Sequence, residues 1–518
     1  MMEKRINIIG SGLAGLSLSI FLARNDISSN LISNMPSERA QSVLAEGGIN
    51  AALNTMGEDD NIENHFLDTK KGGAFLEPDD NIKNLVNNAP DIVLELSKLG
   101  VPFQYESGKI LLRNFGGQKK KRTAYAKSST GKMIMTALID EARKYEDKGL
   151  IKRYPHHECI DAKIINDKLE SIIIKDLYTG EYYNISGKTV LATGGLNGFF
   201  DGYVTGSNLN NALIDAKLFS MGLEFKNLEF IQYHPTTIDI GSKRLLISEA
   251  ARGEGARLMV YKEGKPYYFM EDMHPLGNLA PRDIISKTEY MIINDPKYDD
   301  IIYLDMRNIS QDAWVEKLPD LRKEIKDYLN LDPKNDLIAV SPGIHFFMGG
   351  IAVDINHKTN IENLYAIGEA ASIYHGANRL GGNSMLGAIC GGKILASVLK
   401  DEDSFLECAI NKINYEEDII DKEIDLKLKY ILLDSLGIIR NDNALSAGID
   451  KINELISNSV NKITKAKLIL AKAMIESAKN RCESRGAHQR SDYPDTLDKY
   501  LKQSIARYIN DEIVIDLR

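Results

Sequence analysis

The run Arg5-Ile-Asn-Ile-Ile-Gly10-Ser-Gly12-Leu-Ala14-Gly15 limits the possible folds more than any other part of the chain. A short β-branched strand delivers glycines at GxGxxG spacing straight into an apolar helix pattern, Leu16 to Leu22, and a second strand pattern follows at Ser29 to Ser33. That order describes a βαβ unit. Gly10 serves the tight turn, Gly12 lets the backbone approach a pyrophosphate beside Ala14, and Gly15 lets the helix pack on the strand. The alternative is a glycine turn that only packs a helix. A nicotinamide-binding unit would close its second strand with Asp or Glu for the ribose hydroxyl. Here the strand closes at Ser33-Asn34, so Ser33 is the candidate contact and a nicotinamide is disfavoured.

Further glycine-bearing segments lie far apart in the chain. Ala45-Glu46-Gly47-Gly48-Ile-Asn-Ala-Ala52 is a loop whose backbone can approach a planar ring. Lys188-Thr-Val-Leu-Ala192-Thr193-Gly194-Gly195 is another strand running into glycines, and Ile367-Gly-Glu369 is a third turn of this kind. Together they suggest one large dinucleotide held from across the sequence, and flavin adenine dinucleotide (FAD) fits that description better than a nicotinamide.

At 518 residues, 43% of them hydrophobic, the chain is expected to form two or three domains. The 64 basic and 73 acidic residues leave a net charge of −9, which argues against general binding of nucleic acid or anionic lipid. No apolar run approaches the roughly 18 residues needed to span a bilayer, and the N-terminus enters a strand pattern at once, so the expected compartment is the cytoplasm. Cys159, Cys390, Cys408 and Cys482 are widely separated, so no sulfur-bound metal is expected and any electrons must pass through another centre.

Five segments carry candidate chemistry. His375-Gly-Ala-Asn-Arg379-Leu-Gly-Gly-Asn383-Ser384 follows a compact strand and precedes a helix pattern from Met385 to Leu399, placing a guanidinium at a helix N-terminus, where it can grip a carboxylate through two parallel bonds. Asn383 and Ser384, at that helix start, are candidates for the cofactor. In Glu229-Phe-Ile-Gln-Tyr-His234-Pro the proline holds His234 in extended backbone. Ser248-Glu249-Ala-Ala-Arg252 places acid and base at helical-neighbour spacing. Leu279-Ala-Pro-Arg282-Asp presents Arg282 at a helix start, and Ser341-Pro-Gly-Ile-His345-Phe-Phe-Met-Gly-Gly350 sets His345 among glycines and aromatics. Taken singly, each of these is more often a structural histidine or a surface ion pair.

Together with ESRGAHQRSDYP near the end, these segments resemble, in order and spacing, the flavoprotein subunits of fumarate reductase and succinate dehydrogenase and their relative L-aspartate oxidase. The likeness runs from about residue 5 to about 495. It implies an α/β fold: a doubly wound, Rossmann-like FAD-binding domain (residues 1–234 and 340–400), an inserted α+β capping domain (235–339) and a helical C-terminal region (401–518). It also implies a C4-dicarboxylate substrate. One carboxylate would be held by Arg379 and His345, the other by His234 and Ser248. Hydride would pass at flavin N5, and a proton would come from Arg282, resupplied through Glu249 and Arg252.

The chain departs from the family at several points. Many membrane-bound relatives attach flavin through a histidine at the place occupied here by Gln41, so FAD is expected to be noncovalent. L-aspartate oxidases carry a glutamate where this chain has Phe115, which favours fumarate/succinate chemistry, whereas Gln41 and the modest length resemble the oxidase. The stretch Thr205-Gly-Ser-Asn-Leu-Asn-Asn211 matches neither pattern well. Fumarate/succinate interconversion is the first reading, with electrons from a separate iron–sulfur or other carrier protein. L-aspartate oxidation is the alternative, and an RNA-modifying flavin module is disfavoured by the acidic charge.

Overall fold

The computed structural model describes residues 3–127, 129–207, 209–241, 243–402 and 407–518. Asn208, within the Thr205–Asn211 stretch, lies outside them, as do residues 1–2 and 403–406 of the expected flavin-binding and C-terminal regions. The strand Glu3–Ile9 is central to a parallel sheet ordered Leu364–Ala366, Thr189–Leu191, Glu3–Ile9, Ser28–Ser33, Ile151–Pro155. A parallel sheet needs cover on its faces, and the helix Leu13–Ala23, apolar on nearly every side, is buried along almost its whole length. The helix Asn383–Lys400 packs against it.

The turn between the first strand and its helix shows why glycine is required there. Gly10 has φ of +110°, and a Cβ at that position would lie 2.2 Å from the Ala192 carbonyl oxygen; a Cβ on Gly15 would lie 2.0 Å from the Gly10 oxygen. The strand ends at residues 10, 33 and 192 thereby converge on one edge of the sheet, the usual ligand position in an open α/β sheet.

A four-stranded antiparallel sheet, from His157–Ile165 to Ile410–Ile413, flanks this core. The insertion is carried on two antiparallel strands, Ile231–Asp239 and Ile338–Phe347, and has its own apolar core from Ile238 to Val340, with Trp314 fully buried.

Beyond residue 400 the chain is not helical throughout. The helices Lys422–Ser435, Asp442–Asn458 and Lys462–Asn480 form as their lysine-rich amphipathic pattern predicts. Before them, however, Glu407–Cys408 and Ile410–Ile413 pair with strands of the flavin-binding part. After them, Ser504–Ile509 and Glu512–Leu517 form a hairpin on the strand Phe225–Lys226. These two strands are rich in β-branched residues, and the linking Asn510-Asp511 has φ of 50° and 63°, suited to a two-residue hairpin turn.

This last part anchors the strand that leads into the candidate site. Arg481, fully buried, donates to Glu229 Oε1 at 2.6 Å and to Glu483 Oε1 at 3.0 Å, while Ser504 Oγ donates to Glu229 Oε2 at 2.7 Å. Arg481→Met should leave the buried Glu229 carboxylate without its cation, while Glu483 keeps Arg485, and cost about 3–5 kcal/mol in urea unfolding. An unchanged unfolding midpoint would contradict this role.

Candidate active site

A cavity of about 700 Å³ runs along the converging strand ends, a size typical of ligand pockets. Its wall includes Gly10, Gly12, Ala14, Ser33, Glu46, Ala192, Thr193, Gly194, Glu369 and Ser384. Two helix N-termini face it, Leu13–Ala23 behind Gly12 and Asn383–Lys400 behind Gly382; neither glycine has a side chain to cap with, and the Leu13 amide donates to Ser42 Oγ at 3.0 Å. The positive end of each helix dipole at this wall suits an anion such as a pyrophosphate. Thr193 Oγ1 and Glu46 Oε2 are buried on this wall without a hydrogen-bond partner among the described residues. Burial raises the Glu46 carboxyl well above its usual range, with Glu324 adding to the effect, and burial brings Glu369 up to about 7. An elongated dinucleotide with hydroxyls and phosphates fits this set of donors and acceptors.

Four of the expected cofactor residues do not form the wall. Gly15 faces Gly10 within the turn, Gly47 packs on the Phe115 ring, and Gly48, with φ of +138°, sits against the Ala124 carbonyl. The Asn383 side chain is fully engaged within the protein: it accepts from Asn50 Nδ2 at 2.7 Å, lies 3.1 Å from His65 Nε2, and donates to Thr69 Oγ1 at 3.1 Å. These residues shape the loops behind the cavity and leave its surface to their neighbours.

At one end of the cavity, reached through His345 and Arg379, the expected polar residues converge. Gln232 and His234 alternate on the strand Ile231–Asp239 and share one face, because successive side chains point to opposite sides. The partner strand is irregular opposite Gln232 and Tyr233, and this break turns His345 toward His234, with ring centroids 5.2 Å apart. Arg282 is the first residue of the helix Arg282–Ile293, behind Pro281. Arg379 comes from the loop before Asn383–Lys400, with its guanidinium over the Phe346 ring at 4.3 Å.

One side-chain oxygen joins the two arginines. Gln232 Oε1 accepts from Arg379 Nη2 at 2.9 Å and from Arg282 Nη1 at 3.2 Å. The Gln232 amide nitrogen donates to Asn378 Oδ1 and to the Arg379 carbonyl, both at 2.8 Å, so its orientation is set. Arg282 also places Nε and Nη2 on Glu249 Oε2, at 3.0 and 2.9 Å. Glu249 Oε1 accepts from the Gly116 amide at 2.6 Å and lies 4.0 Å from Arg252 Nη2. Arg252, Glu249 and Arg282 therefore form a buried line. Burial alone would raise the Glu249 carboxyl, but Arg282 and Arg252 hold it below the usual range.

Burial, reinforced by the neighbouring arginines, lowers both His234 and His345 well below the usual histidine range, so both are neutral at pH 7. The Thr236 N–H donates to His234 Nδ1 at 3.3 Å, which puts the imidazole proton on Nε2. That Nε2 is buried and unpartnered among the described residues, as is Arg379 Nε. Thr205 Oγ1 lies 2.7 Å from His345 Nδ1. Burial and the Arg282 cation lower Arg379 well below its usual range. Ser248 is not brought to the cavity wall; its hydroxyl oxygen caps the short helix Glu249–Gly253 by accepting from the Ala250 amide.

Gln232 was not among the residues singled out from sequence, although it lies two positions before His234 in a strand-like run. Strand alternation alone would have placed it beside that histidine.

Residues 6–385 match the FAD binding domain family, and residues 462–518 match the fumarate reductase flavoprotein C-terminal family. The succinate dehydrogenase flavoprotein subunit of Bacillus subtilis is 34% identical over 98% of this chain and 95% of its own length. The fumarate reductase flavoprotein subunit of Mycobacterium tuberculosis is 30% identical over 96% and 93%. Among solved structures, E. coli quinol fumarate reductase superposes with a TM-score of 0.85 at 27% identity, covering all of this chain and 97% of that one.

Gln41 lines the cavity, and its amide donates to the Thr205 carbonyl at 3.2 Å. An amide offers no nucleophile for a flavin bond. Acid precipitation of the FAD-loaded protein should release all of the yellow colour to the supernatant; colour retained in the pellet would contradict this.

Proposed function

This chain belongs to the family of fumarate reductase and succinate dehydrogenase flavoprotein subunits, with FAD as its cofactor, and from that membership we propose that it interconverts fumarate and succinate. One observation carries the reading: Arg282 and Arg379 converge on a single neutral acceptor, with Arg252 behind them and Glu249 as the ionised carboxylate bound to the line. Such a cluster has an excess of cationic charge, which a dianion relieves.

FAD held along the cavity wall by residues such as Gly12, Thr193 and Ser384 would supply the two-electron chemistry. The protein's own residues do the rest. Arg379 and the His345 ring hold one carboxylate, and the neutral His234 offers its Nε2–H to the other. Each charge-assisted bond contributes about 1.5–3 kcal/mol, more where charge develops in the transition state. Arg282 carries the proton destined for the substrate carbon, and Glu249 and Arg252 restore it. An incoming proton has a short path along three side chains, Arg252, Glu249 and Arg282.

Phe115 favours this reading over L-aspartate oxidation. It is buried against Gly47 and Gly381, an apolar group unsuited to a substrate ammonium. No helix among the described residues is long and apolar enough to cross a membrane. The relatives named above are subunits, and here electrons would arrive through a separate iron–sulfur or other carrier protein.

Arg282→Ala should lower fumarate reduction, assayed with reduced viologen, by about 10²-fold or more while FAD stays bound. Near wild-type turnover would remove Arg282 from the reaction.

A further inference from the structure

The sheet that ends in the C-terminal hairpin runs in the order Ala371–Ser372, Gly350–Ala352, Phe225–Lys226, Ser504–Ile509, Glu512–Leu517, so its last strand has a neighbour on one side only. Proteins commonly blunt such an edge with a proline, a bulge or a very short strand. This edge carries none of these. Glu512-Ile-Val-Ile-Asp-Leu-Arg518 contains no proline, and its pairing with Ser504–Ile509 proceeds without a register shift. The sheet's other edge, Ala371–Ser372, is two residues long and buried.

The hairpin fixes which backbone groups face outward. Gln503 and Arg518 exchange both of their backbone hydrogen bonds, at 2.8 and 2.9 Å, and antiparallel strands alternate bonded with non-bonded pairs. Glu512, Val514 and Asp516 therefore bond inward with Arg518, and the N–H and C=O groups of Ile513, Ile515 and Leu517 point along the open edge. Side chains alternate as well. Ile513 and Ile515 pack against the main apolar core, which leaves Glu512, Val514, Asp516 and Arg518 on the opposite face. On that face Asp516 pairs with Arg507 and Arg518, while Glu512 has no ion pair among the described residues.

We infer that this edge is the contact of a homodimer, in which Glu512–Leu517 pairs antiparallel with the same strand of a second copy about a two-fold axis at Ile515. The axis sets Ile513 opposite Leu517 of the second copy and Ile515 opposite its own counterpart. These are the outward-facing positions, so about six backbone hydrogen bonds form across the edge. Charge selects this register. Glu512 faces Arg518 of the second copy at both ends of the pair, which gives it the cation it lacks within its own chain. Sliding the strands by two residues one way sets Glu512 opposite Asp516, and sliding them the other way sets Asp516 opposite Asp516; like charges directly opposite destabilise a strand pair. A slip of one residue sets outward-facing groups against inward-bonded ones. The contact is small for a stable complex, so association falls in the micromolar range. None of residues 504–518 lines the cavity, and the inference is independent of the reaction proposed above.

Sedimentation equilibrium of the FAD-loaded chain should show a reversible monomer–dimer equilibrium and no larger species, because pairing uses up the edge. In hydrogen exchange, the Ile513, Ile515 and Leu517 amides should slow as concentration rises through that equilibrium, while those of Val514 and Asp516, already bonded within the hairpin, should not change. Glu512 and Arg518 are exposed, so exchanging their charges does not threaten the fold. E512R and R518E, each alone, set like charges opposite at both ends and should weaken the dimer about tenfold. An equimolar mixture of the two restores opposite charges at both ends and should associate at least as tightly as wild type. A wild type that stays monomeric across the micromolar range would overturn the inference, as would a mixture that associates no more tightly than its components, which would put any dimer contact elsewhere.

Discussion

The shared hydrogen bond of Arg282 and Arg379 to Gln232 Oε1 is the interaction on which the site depends. Two guanidinium groups repel, and removing either from water costs several kcal/mol even after relaxation. Glu249 ion-pairs with Arg282 and lies within 4.0 Å of Arg252, leaving Arg379 with a neutral amide oxygen, a backbone carbonyl and an aromatic face. The protein tolerates this excess because the surrounding structure holds it rigidly. Gln232 is fixed by its own amide, Phe346 lies against Arg379, and the strand beneath is anchored through Glu229 to Arg481 and Ser504. What the arrangement stores is electrostatic complementarity to a dianion, set before any substrate arrives.

The same logic explains why segments so distant in sequence meet. The parallel sheet brings three strand ends to one edge and makes a cavity long enough for a dinucleotide. The insertion, carried on two strands that leave and re-enter this domain, puts its own residues at one end of that cavity. Arg379 and His345 belong to both the wall and the cluster, so the cavity and the cluster are continuous. The neutral histidines matter as much as the arginines. In surroundings already rich in positive charge, two further cations would be prohibitive, and burial keeps both rings available as uncharged donors.

Much of this was legible in the sequence because the chemistry uses conspicuous residues. Glycines that only a turn or a close approach requires marked the edge of the sheet where the cavity lies, and arginines or histidines beside proline and glycine marked the cluster. What escaped was less conspicuous. That Gly47, Gly48 and Asn383 sit behind the cavity wall was not legible, because adjacency in a motif does not say which residue faces inward and which supports from behind. Gln232 carries no motif; its importance comes from the two arginines that stand opposite, which only the packed structure supplies. The C-terminal hairpin was hidden behind a long helical pattern, although Asn510-Asp511 between two β-branched runs is a turn signal.

The central claim is that charge complementarity to a dianion selects the substrate. Anaerobic titration of the oxidised, FAD-loaded protein with succinate and, separately, with butyrate tests it most directly, since the two share a four-carbon skeleton and differ by one carboxylate. The account predicts that succinate bleaches the flavin and butyrate leaves its spectrum unchanged. Equal bleaching by both, or none by succinate, would contradict it.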